Sequence, residues 1–126
     1  MVQYHGTQIR YKPFSALPNI YRAAIDVYHG GAGASLPLSD QTFGLAIVPM
    51  SALVKSVMND VDIEADFESW EKYHAWYLKG GRVPHYKTRW PVVLSSFEEE
   101  TLEDGWHRLH SYYRDGAEEV PVIWYA

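Results

Sequence analysis

No cysteine occurs in the chain. Disulfides, thiolate metal sites and thiol nucleophiles are therefore excluded together, and the composition fits a reducing compartment. A basic surplus is missing as well: eleven Lys and Arg stand against sixteen Asp and Glu, a formal net charge of −5. Affinity for nucleic acid rests on neutralised phosphates, so stand-alone DNA binding is disfavoured. The one local concentration of basic groups, Arg82, His85, Lys87 and Arg89, reads as a solvated loop. No apolar run approaches the roughly 18 residues that cross a bilayer. The first residues also lack a basic segment followed by a long apolar one, so neither a membrane span nor a signal peptide is expected, and the cytoplasm is the expected location. There is no internal repeat. Residues 30–35 are glycine-rich but lack the Gly-Lys-Ser/Thr ending of a P-loop, and a surface loop is expected there. Ser95, Ser96 and Ser111 sit in no Gly-x-Ser-x-Gly elbow, which removes support for a serine hydrolase.

What the chain does have is aromatic rings. Five Trp and ten Tyr in 126 residues imply a core and groove walls built from flat side chains with polar tips. Hydrophobic residues at 47% and charged residues at 21% are ordinary globular usage. The length fits one domain, residues 1–126, able to bury a core unaided.

Short strands are expected at 2–4 and 8–11, broken by Gly6, and a helix over 18–28 stopped by Gly30. The apolar run 44–49 suits a buried strand, and Ser51 is placed to cap a helix carrying Leu53, Val54 and Val57. Residues 59–66 are acidic and read as irregular. Phe67, Trp70, Tyr73, Trp76 and Tyr77 then recur at helical spacing, with Asp66 as the cap, Gly80 and Gly81 as the stop, and the rings expected inside. A strand at 91–94, a polar turn at 95–100, a return strand at 101–102, a helix over 105–115 closed by Gly116, and a strand at 120–125 complete the chain. Pro121 suggests an edge position or an entry bend. Mixed elements with short connections predict an α+β domain, a small mixed β-sheet flanked by helices.

The sharpest motif is Asp104-Gly105-Trp106-His107-Arg108. A strand ends, a turn follows, and a helix begins with two potential cations in its first turn. Such cations oppose the helix macrodipole, at a cost of about 0.3–1 kcal/mol each, unless an anion is to be held there. Free amides at a helix start attract anions, and Gly105 lets one approach the backbone closely. Arg108 offers a guanidinium fork and His107 a further donor. Asp104 suits a cap, a Mg²⁺ ligand or a general base. His107 and His110, spaced i, i+3, could face a metal with His85 or Glu103; a phosphate-contacting His107 and a packed His110 is the favoured reading.

In order and spacing, residues 90–125 resemble the ParB/sulfiredoxin superfamily: Pro91-Val92-Val93-Leu94, then Asp104-Gly105-Trp106-His107-Arg108, then Gly116 and Val120-Pro121-Val122. Residues 47–53 are similar to the short strand and helix start that open that fold, and residues 1–45 form an N-terminal extension outside the resemblance. The resemblance implies a nucleotide-phosphate pocket formed by Gly105, Trp106, His107 and Arg108. Asp104 and His107 would be the catalytic pair, and ATP/ADP or CTP with Mg²⁺ the ligand. Sulfiredoxins carry their nucleophilic cysteine where Trp106 stands, so that activity is excluded. ParB partition proteins have an arginine-rich turn and a following DNA-binding domain, and no such domain is expected in these 126 residues. The ADP-dependent serine kinases of the superfamily have the closest turn, although their catalytic glutamate has no counterpart found here.

A nucleotide-dependent phosphotransferase or NTPase is the expected function. The alternative is a non-catalytic phage- or plasmid-type protein on the same scaffold, acting by protein contact with Trp70, Trp76, Trp106 and Trp124 as anchors. Trp106 inside the turn favours that alternative. A metal-dependent nuclease drawing on Asp104 and the acidic residues 98–103 is more remote. So is an ADP-ribosyltransferase-like His5-Gly6-Thr7 strand, which lacks the further Tyr and Glu positions that fold needs.

Overall fold

The computed structural model describes residues 3–4, 7–32, 41–80, 83–84, 89–95 and 102–126. Outside the described residues lie His5 and Gly6, residues 33–35 of the glycine-rich segment, Arg82, His85, Lys87, and residues 96–101 with their acidic run. Strands β1 (Gln3–Tyr4) and β2 (Thr7–Gln8) pair with each other. The main sheet holds β3 (Arg10–Pro13), β4 (Thr42–Pro49), β5 (Val92–Leu94), β6 (Leu102–Asp104) and β7 (Glu119–Tyr125). Its order is β3-β4-β7-β5-β6, antiparallel throughout except for the parallel β5–β7 pair. Among the described residues there are five α-helices: α1 (Asn19–Ala32), α2 (Met50–Met58), α3 (Val61–Phe67), α4 (Trp70–Gly80) and α5 (Trp106–Arg114). This is a small α+β fold. No helix among the described residues is long and apolar enough to cross a membrane.

Strand alternation decides which residues meet which helices. Ala46, Val48, Val92, Leu94, Val120, Val122 and Trp124 face one side, where α2, α4 and α5 pack on them through Leu53, Val57, Trp70, Tyr73 and Leu109. Phe43, Leu45, Val93 and Ile123 face the other, against Leu17 and Ile25 of the α1 region. Each fully buried Val, Leu or Ile contributes about 1.5–3 kcal/mol of transfer free energy, so this double-sided burial is the main stabilising term of the fold.

Several local expectations are corrected. Pro121 belongs to a central strand: it sits opposite Ile47, one residue before the parallel pairing with β5 begins at Val122. A strand flanked on one side only at that level tolerates a residue that cannot donate. Ser51 is not the cap of α2, because the helix starts one residue earlier, directly after Pro49. Gly30 does not stop α1, which continues to Ala32. Residues 59–66 are not irregular. Asp60 accepts from the Asp62 and Ile63 amides at 2.9 and 3.2 Å and so starts α3. Nor does Asp66 cap the aromatic helix. The chain breaks at Glu68, whose φ of +66° is rare for a non-glycine residue. The Ser69 hydroxyl then accepts from the Lys72 amide at 3.3 Å.

Gly44 is a packing requirement. A Cβ at this position of β4 would fall inside the indole of Trp124, the residue opposite it on β7. Gly44→Ala should therefore destabilise the protein by about 1–3 kcal/mol, as overpacking of a rigid core does. Urea unfolding followed by tryptophan fluorescence checks this; an unchanged midpoint would show that the Gly44–Trp124 contact is not tight.

Candidate functional site: the strand–turn–helix at Asp104 and the aromatic stack beside it

The turn forms where the motif places it. Strand β6 ends at Asp104, Gly105 takes a left-handed φ of +94°, and α5 begins at Trp106. A Cβ on Gly105 would stand 3.0–3.2 Å from Val92 atoms, so glycine satisfies both the dihedral and the packing. No side chain caps α5, and its first turn contains no acidic residue.

Arg108, however, is not presented to an outside anion. It is 8% exposed. Its Nη1 donates to the Pro91 carbonyl, its Nη2 lies 3.5 Å from Asp104 Oδ2, and its guanidinium carbon is 5.5 Å from the Trp90 ring centre. The expected phosphate fork is thus turned inward. A buried guanidinium requires its donors to be satisfied, and here the protein's own carboxylate and carbonyl do that. Trp106 is half-buried against the core rather than standing free in the turn. His107 is exposed, and its Nδ1 is bonded to the Tyr77 hydroxyl of α4. Asp104, a third exposed, is the partner of Arg108. The five residues are brought together, but as a clamp with one exposed imidazole beside it.

Behind the turn His110 is packed, as expected, but within an aromatic stack that the sequence reading missed. His110 of α5 is fully buried and stacked between Tyr77, at 3.7 Å between ring centres, and Trp70, at 4.9 Å. Its Nδ1 is 2.8 Å from His74 Nδ1. One of these nitrogens must be the acceptor, so the bond requires at least one neutral ring. Burial, then the neighbouring His74 and His107, push the His110 pKa down to about 3. Burial and then Arg114 lower that of His74. The buried His110 Nε2 and Trp70 Nε1 have no hydrogen-bond partner among the described residues. The signal available in the sequence was the i, i+4 spacing of Trp70 and His74 on one helix; their meeting with His110 is a long-range contact that spacing does not reveal.

Among the described residues no group of three His, Asp or Glu is disposed to hold a metal ion. Arg108, the principal cation expected to hold a nucleotide's phosphates at this turn, is engaged internally. No family model matches the chain, and comparisons with curated proteins and with solved structures find no match either.

Two outcomes follow from this geometry. Arg108→Met should cost about 1–3 kcal/mol of stability, since Asp104 and the Pro91 carbonyl lose a charged donor; thermal denaturation checks it. The second concerns pH. A histidine with a depressed pKa binds its proton in the unfolded chain first. Stability should therefore fall as pH drops below the ordinary value of 6.5 and keep falling towards about 3. His110→Leu should flatten that part of the urea-unfolding pH profile, and an identical profile would show that His110 titrates normally.

Proposed function

We infer that this chain acts by contact with another protein, through the surface that α3 and α4 present. The single observation carrying this reading is Trp76. It is 57% exposed although its ring is held in place, 5.0 Å from Phe67 and 6.2 Å from Tyr73, centre to centre. A rigid ring kept in water has little conformational entropy left to lose when a partner covers it, which is what makes aromatic residues effective interface anchors. Val61, at the start of α3, is 77% exposed. Asp62, Glu64, Asp66 and Glu71 are exposed and form no ion pair among the described residues; only Glu68 is paired, with Lys72 at 3.0 Å. The complementary partner is a segment rich in Arg or Lys, whose cations suit both the carboxylates and the face of the indole.

A second reading keeps the ParB/sulfiredoxin resemblance and is favoured by the absence of a side-chain cap on α5. In it the amides at the Gly105 turn and exposed His107 take an anion, with Arg108 orienting Asp104 and not touching the ligand.

Fluorescence titration with an arginine-rich peptide tests the first reading. Binding should weaken with salt and fall roughly tenfold or more in Trp76→Ala, the loss of one anchor. Equal binding of a glutamate-rich peptide of the same length, or no response to Trp76→Ala, would overturn it.

A further inference from the structure

Among the described residues, the sheet face under α1 is only partly covered. Helix α1 packs over β5, with Ile25 and Leu17 against Phe43, Val93 and Ile123. Towards β3 and the end of β4 the face opens. Ile47 is 49% exposed there, and a groove of about 420 Å³ runs over it beside Pro18 and Tyr21. That volume falls within the range of small-molecule sites, about 300–1,000 Å³.

The chemistry of the walls is graded along the strands. Arg10 stands opposite Leu45 and Lys12 opposite Phe43, so both cations rise from the same face at one end. Neither has an ion-pair partner among the described residues, in a chain whose net charge is −5. Leu45 and Ile47 form an apolar floor. Glu119, opposite Pro49, is the acidic lining residue and stands at the far end. It lies four residues along β4 from the Arg10 row, about 13 Å at roughly 3.3 Å per residue. Arg89 reaches the same end but is engaged, donating to the Glu119 carbonyl and lying 4.6 Å from the Tyr112 ring centre.

A ligand that satisfies all three zones has an anionic group for Arg10 and Lys12, a flat apolar body for Leu45 and Ile47, and a hydroxyl or amino donor for the Glu119 carboxylate. We propose that this groove is a binding site for a nucleoside phosphate, held with its phosphates at Arg10 and Lys12. The site is separate from the Asp104 turn: β3 and β6 are opposite edges of the five-stranded sheet. It is independent of the α3–α4 surface as well, since it lies on the other side of that sheet from α4.

The test is an amide-resolved NMR titration of the whole chain with ADP, and with adenosine and inorganic phosphate as its parts. ADP should shift the amides of Arg10, Lys12, Leu45 and Ile47, and either part alone should bind more weakly. An Arg10→Glu/Lys12→Glu variant with an unchanged unliganded spectrum should bind ADP roughly a hundredfold more weakly, since two charge-assisted bonds are lost. Should that variant not fold, added salt takes its place: ADP binding to the wild-type chain should weaken as salt rises. The proposal is overturned if ADP at millimolar concentration moves nothing, if the shifts are confined to residues 104–108, if adenosine binds as well as ADP, or if binding is indifferent to the double variant or to salt.

Discussion

The inward-turned guanidinium of Arg108 is the interaction on which the rest of this structure depends. It joins three pieces that are distant in sequence or about to diverge: the end of β6 through Asp104, the start of α5, and the chain entering β5 through the Pro91 carbonyl. Two further side chains of α5 continue the same work. The Tyr112 hydroxyl donates to the Trp90 carbonyl at 2.7 Å, and Arg114 Nη1 donates to the Val83 carbonyl at 2.7 Å. Helix α5 therefore serves as a rack for backbone oxygens of the chain that leads into β5 and of Val83. A carbonyl left buried without a donor is costly, and it is long polar side chains on a helix that reach it here.

The aromatic stack between α4 and α5 follows from the same arrangement. Once α5 is fixed over the sheet, His110 points into the space between Trp70 and Tyr77, and His74 closes its polar edge. A neutral imidazole suits this place because it stacks as a flat ring and still bonds through one nitrogen. The arrangement couples helix packing to protonation. It also leaves Trp76 on the outer side of α4, in tilted contact with half-buried Phe67 and stacked on Tyr73, so that the ring which meets solvent is braced by a buried one.

Elements whose signals are local could be read from the residues. Strand β4 is one apolar run, and the Asp104–Gly105 step marks both the end of β6 and the beginning of α5. The glycine is required there by its left-handed φ and by the nearness of Val92. Helix α3 escaped because its apolar positions, Val61, Ile63 and Phe67, are sparse among carboxylates, and its energy comes from the Asp60 cap and from packing against α2 and α4. The central placement of Pro121 depends on where β5 begins beside it, a tertiary fact. At the candidate site the residue types were legible and their directions were not. The pattern Asp-Gly-x-His-Arg states that a cation lies one turn into a helix. Whether it faces a ligand or its own Asp104 is decided by Pro91 and Trp90, 17 or more residues away. The edge cations Arg10 and Lys12 drew no attention in the sequence, because two alternating charges on a short strand look like any solvated edge.

The central claim is that Arg108 belongs to the protein's own framework. A crystal structure grown in sulfate measures this most directly. The account requires the Arg108 guanidinium to remain on Asp104 and the Pro91 carbonyl. Electron density for a sulfate held by an outward-turned Arg108, with Asp104 released, would contradict it.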